Sequence, residues 1–194
     1  MPQASNVFRL FRLPPVDCSV LLTRQLNEIV ILAGRLRRCR ARHAAIPLHR
    51  QLCGRGALHV QARERVLLPA WRRAGWKDLP ANALEAHVWF KRCLAQLIVS
   101  PPGSPEFAGS VAAFLRAARE QRERDENVLV PAVRAAMQLA ERRTVFDEIE
   151  QLYDSYQPGA DTEPELPDKA PAQALVEEAE LVLSALAPKP RQLA

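Results

Sequence analysis

Residues 64–74 read ERVLLPAWRRA, and residues 126–136 read ENVLVPAVRAA. Glu64, Val66, Leu67, Pro69, Ala70, Arg72 and Ala74 recur as Glu126, Val128, Leu129, Pro131, Ala132, Arg134 and Ala136, at a constant offset of 62 residues. Both copies set a proline inside a stretch whose other residues favour helix. An interior proline removes a backbone hydrogen bond and costs ~3 kcal/mol or more. Carrying that cost twice points to a duplicated helix pair whose kink serves packing. Each proline lies ten residues beyond one of two equivalent positions, His59 and Gln121. Those two turns are where a functional site is expected.

Composition agrees with a helical reading. The chain has 194 residues, enough for one good core with an appendage. It holds only 7 glycines, and its dominant residues (Ala, Leu, Arg, Glu, Gln) are good helix formers. No segment alternates apolar and polar residues as a half-buried strand would. Cys18, Cys39, Cys53 and Cys93 lack the spacing of a zinc site or a disulfide framework. The start, MPQASNVFRLFRLPP, has no apolar signal region, and no run reaches the ~18 apolar residues that span a bilayer. These features imply a cytoplasmic chain with reduced thiols and no membrane partner.

The net charge of +5 hides an asymmetry. Residues 1–80 carry 15 Lys/Arg and 4 Asp/Glu, whereas residues 81–194 carry 12 and 18. Arg35, Arg37, Arg38, Arg40 and Arg42 form a dense run. Such a run suits a nucleic acid or another anionic partner. With no aromatic interleaving, a solvated arginine-rich helix end balanced by the acidic C-terminal third is the plainer reading.

Along the chain, residues 1–15 read as a tail ending in Pro14-Pro15. Asp17 can cap a helix over roughly 17–42, with Leu21, Leu22, Leu26, Ile29, Val30, Ala33 and Leu36 at helical spacing. A second helix is expected over roughly 47–74, weakened early by Gly54 and Gly56 and stopped by Gly75. A third follows Pro80 to about Val99, with Leu84, Val88, Cys93, Leu94, Leu97 and Ile98 as its inner face. Ser100 to Pro105 is a loop, and a fourth helix covers about 106–140. Residues 143–156 read as helix, 157–171 as a Pro- and acid-rich linker, and 172–186 as a last amphipathic helix. The expected fold is all-α: an antiparallel four-helix bundle over 16–142 with an acidic helical extension over 143–194. That extension is expected to lie against the basic first half. Trp71, Trp76, Trp89 and Phe90 are expected in the core, Cys93 as a small hydrophobe, and His43 and His49 at the surface without a role.

Helical hairpins in bundles often build metal sites from His and carboxylate at i, i+4 spacing, which puts both side chains on one face. The first copy holds His59 and Arg63, followed by Glu64; the second holds Gln121 and Asp125, followed by Glu126; His87 lies mid-helix in LEAHVWF. The pattern resembles the hemerythrin-like (HHE cation-binding) domain family over about residues 16–140. In that family a His on helix one, an HxxxE pair on helix two, a His on helix three and an HxxxE pair on helix four bind two irons. Its helix-two and helix-four motifs commonly run on into a VLxPA stretch. Here that stretch is Val66 to Ala70 and Val128 to Ala132.

The resemblance implies His59 as the helix-two His, His87 as the helix-three His and Asp125 as the helix-four carboxylate. It also implies that Arg63 replaces a carboxylate, that Gln121 replaces a His, and that Gln25 stands at the helix-one His. These losses disfavour iron. A guanidinium is always charged and has no lone pair to give a metal. Repulsion from cations a few ångströms away would amount to several kcal/mol. Arg63 could instead supply the positive charge itself and pair with Asp125 across the bundle.

The alternative is a reduced, mononuclear iron or zinc site on His59, His87 and Asp125, with Glu64 or Glu126 swinging in. No nucleophile elbow or phosphate-binding glycine motif appears, so no catalysis is expected. The leading expectation is a degenerate hemerythrin-like protein with no cofactor. Its regulatory or interaction role would be met by an unknown protein partner or by self-association. The alternatives are a metal-binding oxygen or redox sensor, and last a nucleic-acid module using the 35–42 arginines.

Overall fold

A computed structural model describes residues 17–76 and 80–155. The expected tail over 1–15, linker over 157–171 and helix over 172–186 lie outside the described residues. Among the described residues the chain is all-helical, without strands. None of the described helices is long and apolar enough to cross a membrane.

Helix α1 (Cys18–Arg38) starts where expected, because the Asp17 carboxylate accepts from the Ser19 backbone N–H at 2.9 Å. It ends before 42 because Cys39 turns to extended backbone. Helix α2 (Arg42–Gln61) begins five residues ahead of Pro47 rather than at it. Pro47 leaves one carbonyl without its usual partner but does not stop the turn.

Both repeat prolines sit just after a widened turn. Residues Ala62–Leu67 form a π-helical stretch in which the Leu68 N–H reaches back to the Arg63 carbonyl, and α3 (Leu68–Arg73) follows. In the second copy, α5 (Phe107–Arg124) passes through a π stretch at Asp125–Leu129 into α6 (Val130–Ala136). There the Val130 N–H reaches the Asp125 carbonyl. A proline cannot donate, and its ring crowds the carbonyl four residues back. Inserting one residue into the preceding turn relieves that clash while the helix continues. Gly75, at φ 91, ends the first copy, as its lack of a Cβ permits.

Helix α4 (Ala81–Ile98) lies between the copies in sequence and packs against α2 and α5. His49 meets Leu97, while Glu64 meets His87, so α2 and α4 run in opposite directions. Its inner face differs from the expected one over its first half. Ala83 and Ala86 are buried there, whereas Leu84 is 36% exposed and Val88 is half-buried.

The fourth helix stops at Ala136 because Met137 is extended, and α7 (Leu139–Ser155) starts afresh. Glu141 caps it by accepting from the Gln138 N–H at 2.7 Å. The expected boundary at 142 therefore falls inside a helix. Val145, Phe146, Ile149 and Tyr153 of α7 are buried with Cys18, Leu21, Leu67 and Trp71. Trp76, expected in the core, is 49% exposed at the end of the first copy.

Apolar packing falls into two clusters. One gathers Leu26, Ile29, Leu36, Leu52, Phe90, Leu94, Leu97 and Phe114; the other gathers Leu22, Leu67, Trp71, Leu129, Val133 and the α7 residues. In α1, in α4 and along α5 the switch between them falls at a polar residue. Gln25 lies between Leu22 and Leu26, His87 between Ala83 and Phe90, and Gln121 and Asp125 between Ala118 and Leu129.

Candidate functional site

That polar layer is the candidate site. His59, Arg63 and Gln121 are fully buried, and Asp125, His87, Lys91 and Gln25 are nearly so. Arg63 Nη1 donates to both oxygens of Asp125, at 2.7 and 2.9 Å, and Nη2 donates to the Ala83 carbonyl at 3.2 Å. His59 Nε2 and the Gln121 amide nitrogen are 3.0 Å apart. Both pairs join residues 62 apart, the offset of the repeat. Equivalent positions of the two copies therefore face each other across the body.

A second ion-paired group lies beside the first. Glu64 Oε1 accepts from Lys91 Nζ at 2.8 Å and from His87 Nε2 at 2.9 Å. Lys91 was absent from the sequence-based site, although it stands one turn beyond His87 on the same helix. Glu64 turns inward, whereas Glu126, its equivalent, is exposed and sits 3.9 Å from Arg122. His49, expected at the surface, is buried, with Nε2 2.8 Å from the Leu97 carbonyl and Cys53 Sγ at 3.6 Å.

Electrostatics keep both site histidines neutral. Burial holds His59 well below the ordinary imidazole range, with Arg63 and His87 pushing the same way. Burial brings His87 down to about 4, against the opposing pull of its hydrogen bond to Glu64. The donor–acceptor pattern then sets the tautomers. His87 carries its proton on Nε2, facing the carboxylate, and His59 accepts at Nε2 from the Gln121 amide. Burial alone would raise the Glu64 carboxyl, but its bonds to His87 and Lys91 hold it below the usual value. For Asp125 burial wins and its carboxyl lies above the usual value, although Arg63 pulls it down.

The donor set does not fit a pair of metal ions. The two oxygens of Asp125 are both taken by a guanidinium, and a metal ligand needs a free lone pair. Nε2 of His59 and Nε2 of His87 are bonded to different partners, Gln121 and Glu64. Among the described residues no three His, Cys, Asp or Glu side chains gather as a metal cluster. His59, His87 and Asp125 thus share one layer without converging on one point. Gln25 Oε1, His59 Nδ1, Arg63 Nε, His87 Nδ1 and Gln121 Oε1 are buried in the layer with no protein hydrogen-bond partner.

Comparison with protein-family models, curated proteins and solved structures finds no match for this chain.

Proposed function

We propose that this chain is a hemerythrin-like four-helix bundle, with α7 as a fifth helix, that works without metal and without catalysis. Its di-iron position is filled by two internal ion pairs, and its role is regulatory or structural, through protein contacts or self-association. The observation that carries this reading is the Arg63–Asp125 pair, joined across the repeat offset at 2.7 Å with both side chains buried. Two carboxylates facing each other at equivalent positions of the repeat would need a cation between them. Arginine in one copy supplies that cation covalently, and Lys91 does the same for Glu64. Four free thiols, three of them buried, suit a reducing compartment, and we place the chain in the cytoplasm.

The test is metal analysis with an ultraviolet–visible spectrum, on protein from iron-supplemented cells purified without oxygen. Metal-free, folded protein whose melting temperature ignores added Fe(II) or Zn(II) is the expected result. About two irons per chain with oxo-bridge absorption would overturn the reading. About one metal per chain, lost in His59→Ala, would favour the reduced, sensing site instead.

A further inference from the structure

No acidic residue lies between positions 29 and 63, a stretch that holds eight arginines. Five of them, Arg35, Arg37, Arg38, Arg40 and Arg42, close one end of the helical body, from the last turn of α1 to the first residue of α2. All five are exposed. Among the described residues none of them pairs with a carboxylate. Like charges this close repel within the ~8–10 Å screening length of physiological salt, so an anion laid over them is favoured. The same end exposes apolar side chains, with Ile31 62% and Val99 63% accessible. Ile31, Arg35 and Arg38 stand at i, i+4, i+7, on one outer face of α1.

Helix α7 indicates what can reach this end. It runs beside α1 in the same direction: Arg142 bonds Asp17 at the start of α1, and Tyr153 feels the charge of Glu28 and lies under Arg55. The chain leaves α7 at Ser155 heading toward the arginines. Beyond Glu28, α1 continues for ten residues, or ~15 Å at the helical rise. Residues 156–194 carry seven Asp/Glu against three Lys/Arg. Glu177, Glu178 and Glu180 alternate there with Leu175, Val176, Ala179, Leu183 and Leu186. The 16 residues over 156–171 span at most ~55 Å when extended, far more than the distance to cover.

We propose that the chain's own acidic segment, residues 161–186, docks on the arginine end of the body and shields that surface from other polyanions. Its carboxylates answer the arginines, and its leucines answer Ile31 and Val99. The contact loosens as salt rises. It stands apart from the interior reading and would hold even if the polar layer bound metal.

Cys39 provides the probe, since it lies between Arg38 and Arg40 and is partly accessible. The other thiols are buried and pushed up, Cys18 and Cys53 to about 12 and Cys93 to about 11, so a nitroxide reagent selects Cys39. On the full chain at about 0.01 M salt, where screening reaches ~30 Å, the label should broaden backbone amide signals of residues 161–186. Raising salt to about 1 M should restore them. The triple change Glu177→Gln, Glu178→Gln, Glu180→Gln should abolish the broadening and raise affinity for a short poly-thymidine oligonucleotide severalfold. Sharp signals at low salt overturn the proposal. So does broadening that arises only when labelled chains are mixed with unlabelled ones, which would make the occupant a second copy. Equal oligonucleotide binding by the native chain and the triple variant also overturns it, because the arginine end would then stand open to nucleic acid.

Discussion

The two copies of the repeat share a backbone and differ in their side chains. Both carry a π turn just before the proline, and in both the carbonyl that accepts the long bond belongs to the residue at the centre of the layer, Arg63 or Asp125. Proline chemistry dictates that much, so it persists in both copies. What diverged is the set of groups that meet in the layer. His59 faces Gln121 and Arg63 faces Asp125, a neutral pair and an ion pair where matched copies would set like against like. The difference teaches that a polar layer built from a repeat neutralises itself when the two copies carry opposite charges at the facing position.

The largest expected effect comes from breaking that asymmetry. Arg63→Ala leaves a buried carboxylate unpaired and should cost ~3–5 kcal/mol in denaturant unfolding. Arg63→Met with Asp125→Leu removes both charges and should be near neutral, or stabilising by up to about 4 kcal/mol. If the double change costs as much as the single one, the pair matters through shape rather than charge. Restoring likeness with Arg63→Glu and Gln121→His should give a weak apo fold whose melting temperature rises with added Fe(II).

Acid should act next most strongly, through the two histidines buried in the layer, His59 and His87. His87 falls from 6.5 unfolded to about 4 folded, and burial holds His59 well below 6.5. A depressed folded pKa means the unfolded chain binds more protons between those values. The stability these groups confer is therefore complete above pH 6.5 and drains as pH falls toward 4. Each histidine contributes a slope of up to ~1.4 kcal/mol per pH unit. Urea midpoints measured across that window should fall steadily, and less steeply in His87→Gln. A flat profile would mean that the folded protein takes up protons as readily as the unfolded chain.

Much of this was legible beforehand, and what was not has physical reasons. The repeat offset located the Arg63–Asp125 pair because duplicated helices bring equivalent positions together. The proline kink was readable but its π register was not, since proline announces a lost donor and leaves open how the turn absorbs it. Lys91 was missed because a lysine on a helix is normally solvated, and only the inward turn of Glu64 makes its burial tolerable. The inner face of α4 was misread where Ala83 and Ala86 displaced Leu84 and Val88, because periodicity weighs hydrophobicity and not the space between helices. The start of α7 carried a readable signal in Gln138 and Glu141, a cap with its acid three residues on.

Lys91→Met probes the ion-paired group that joins α4 to Glu64 of the first copy. Glu64 would keep His87 and lose a charged donor, at a cost of about 1–3 kcal/mol, nearer the lower figure because its side chain is 22% exposed. The cation also helps to depress His87, so its removal should move the His87 titration upward from about 4. An unchanged His87 titration would show that Lys91 does not share its environment.

The smallest test concerns backbone propensity, and it separates the copies again. Gly56 matches Ala118 at the repeat offset, and a Cβ built on it would sit 2.8 Å from Leu94 Cδ1 and 3.5 Å from Phe114 Cζ. Gly54, one turn face away, is exposed and has nothing within 4 Å. Gly54→Ala should stabilise by ~0.5–1 kcal/mol, because it removes the entropy that a helical glycine loses on folding. Gly56→Ala gains the same term and then loses about 1–3 kcal/mol by overpacking against α4. A net loss at Gly56 beside a gain at Gly54 would show that Leu94 and Phe114 leave no room for a methyl group there. Equal gains would mean that Leu94 moves aside freely, and that the glycine is no more than a residue the second copy has already replaced.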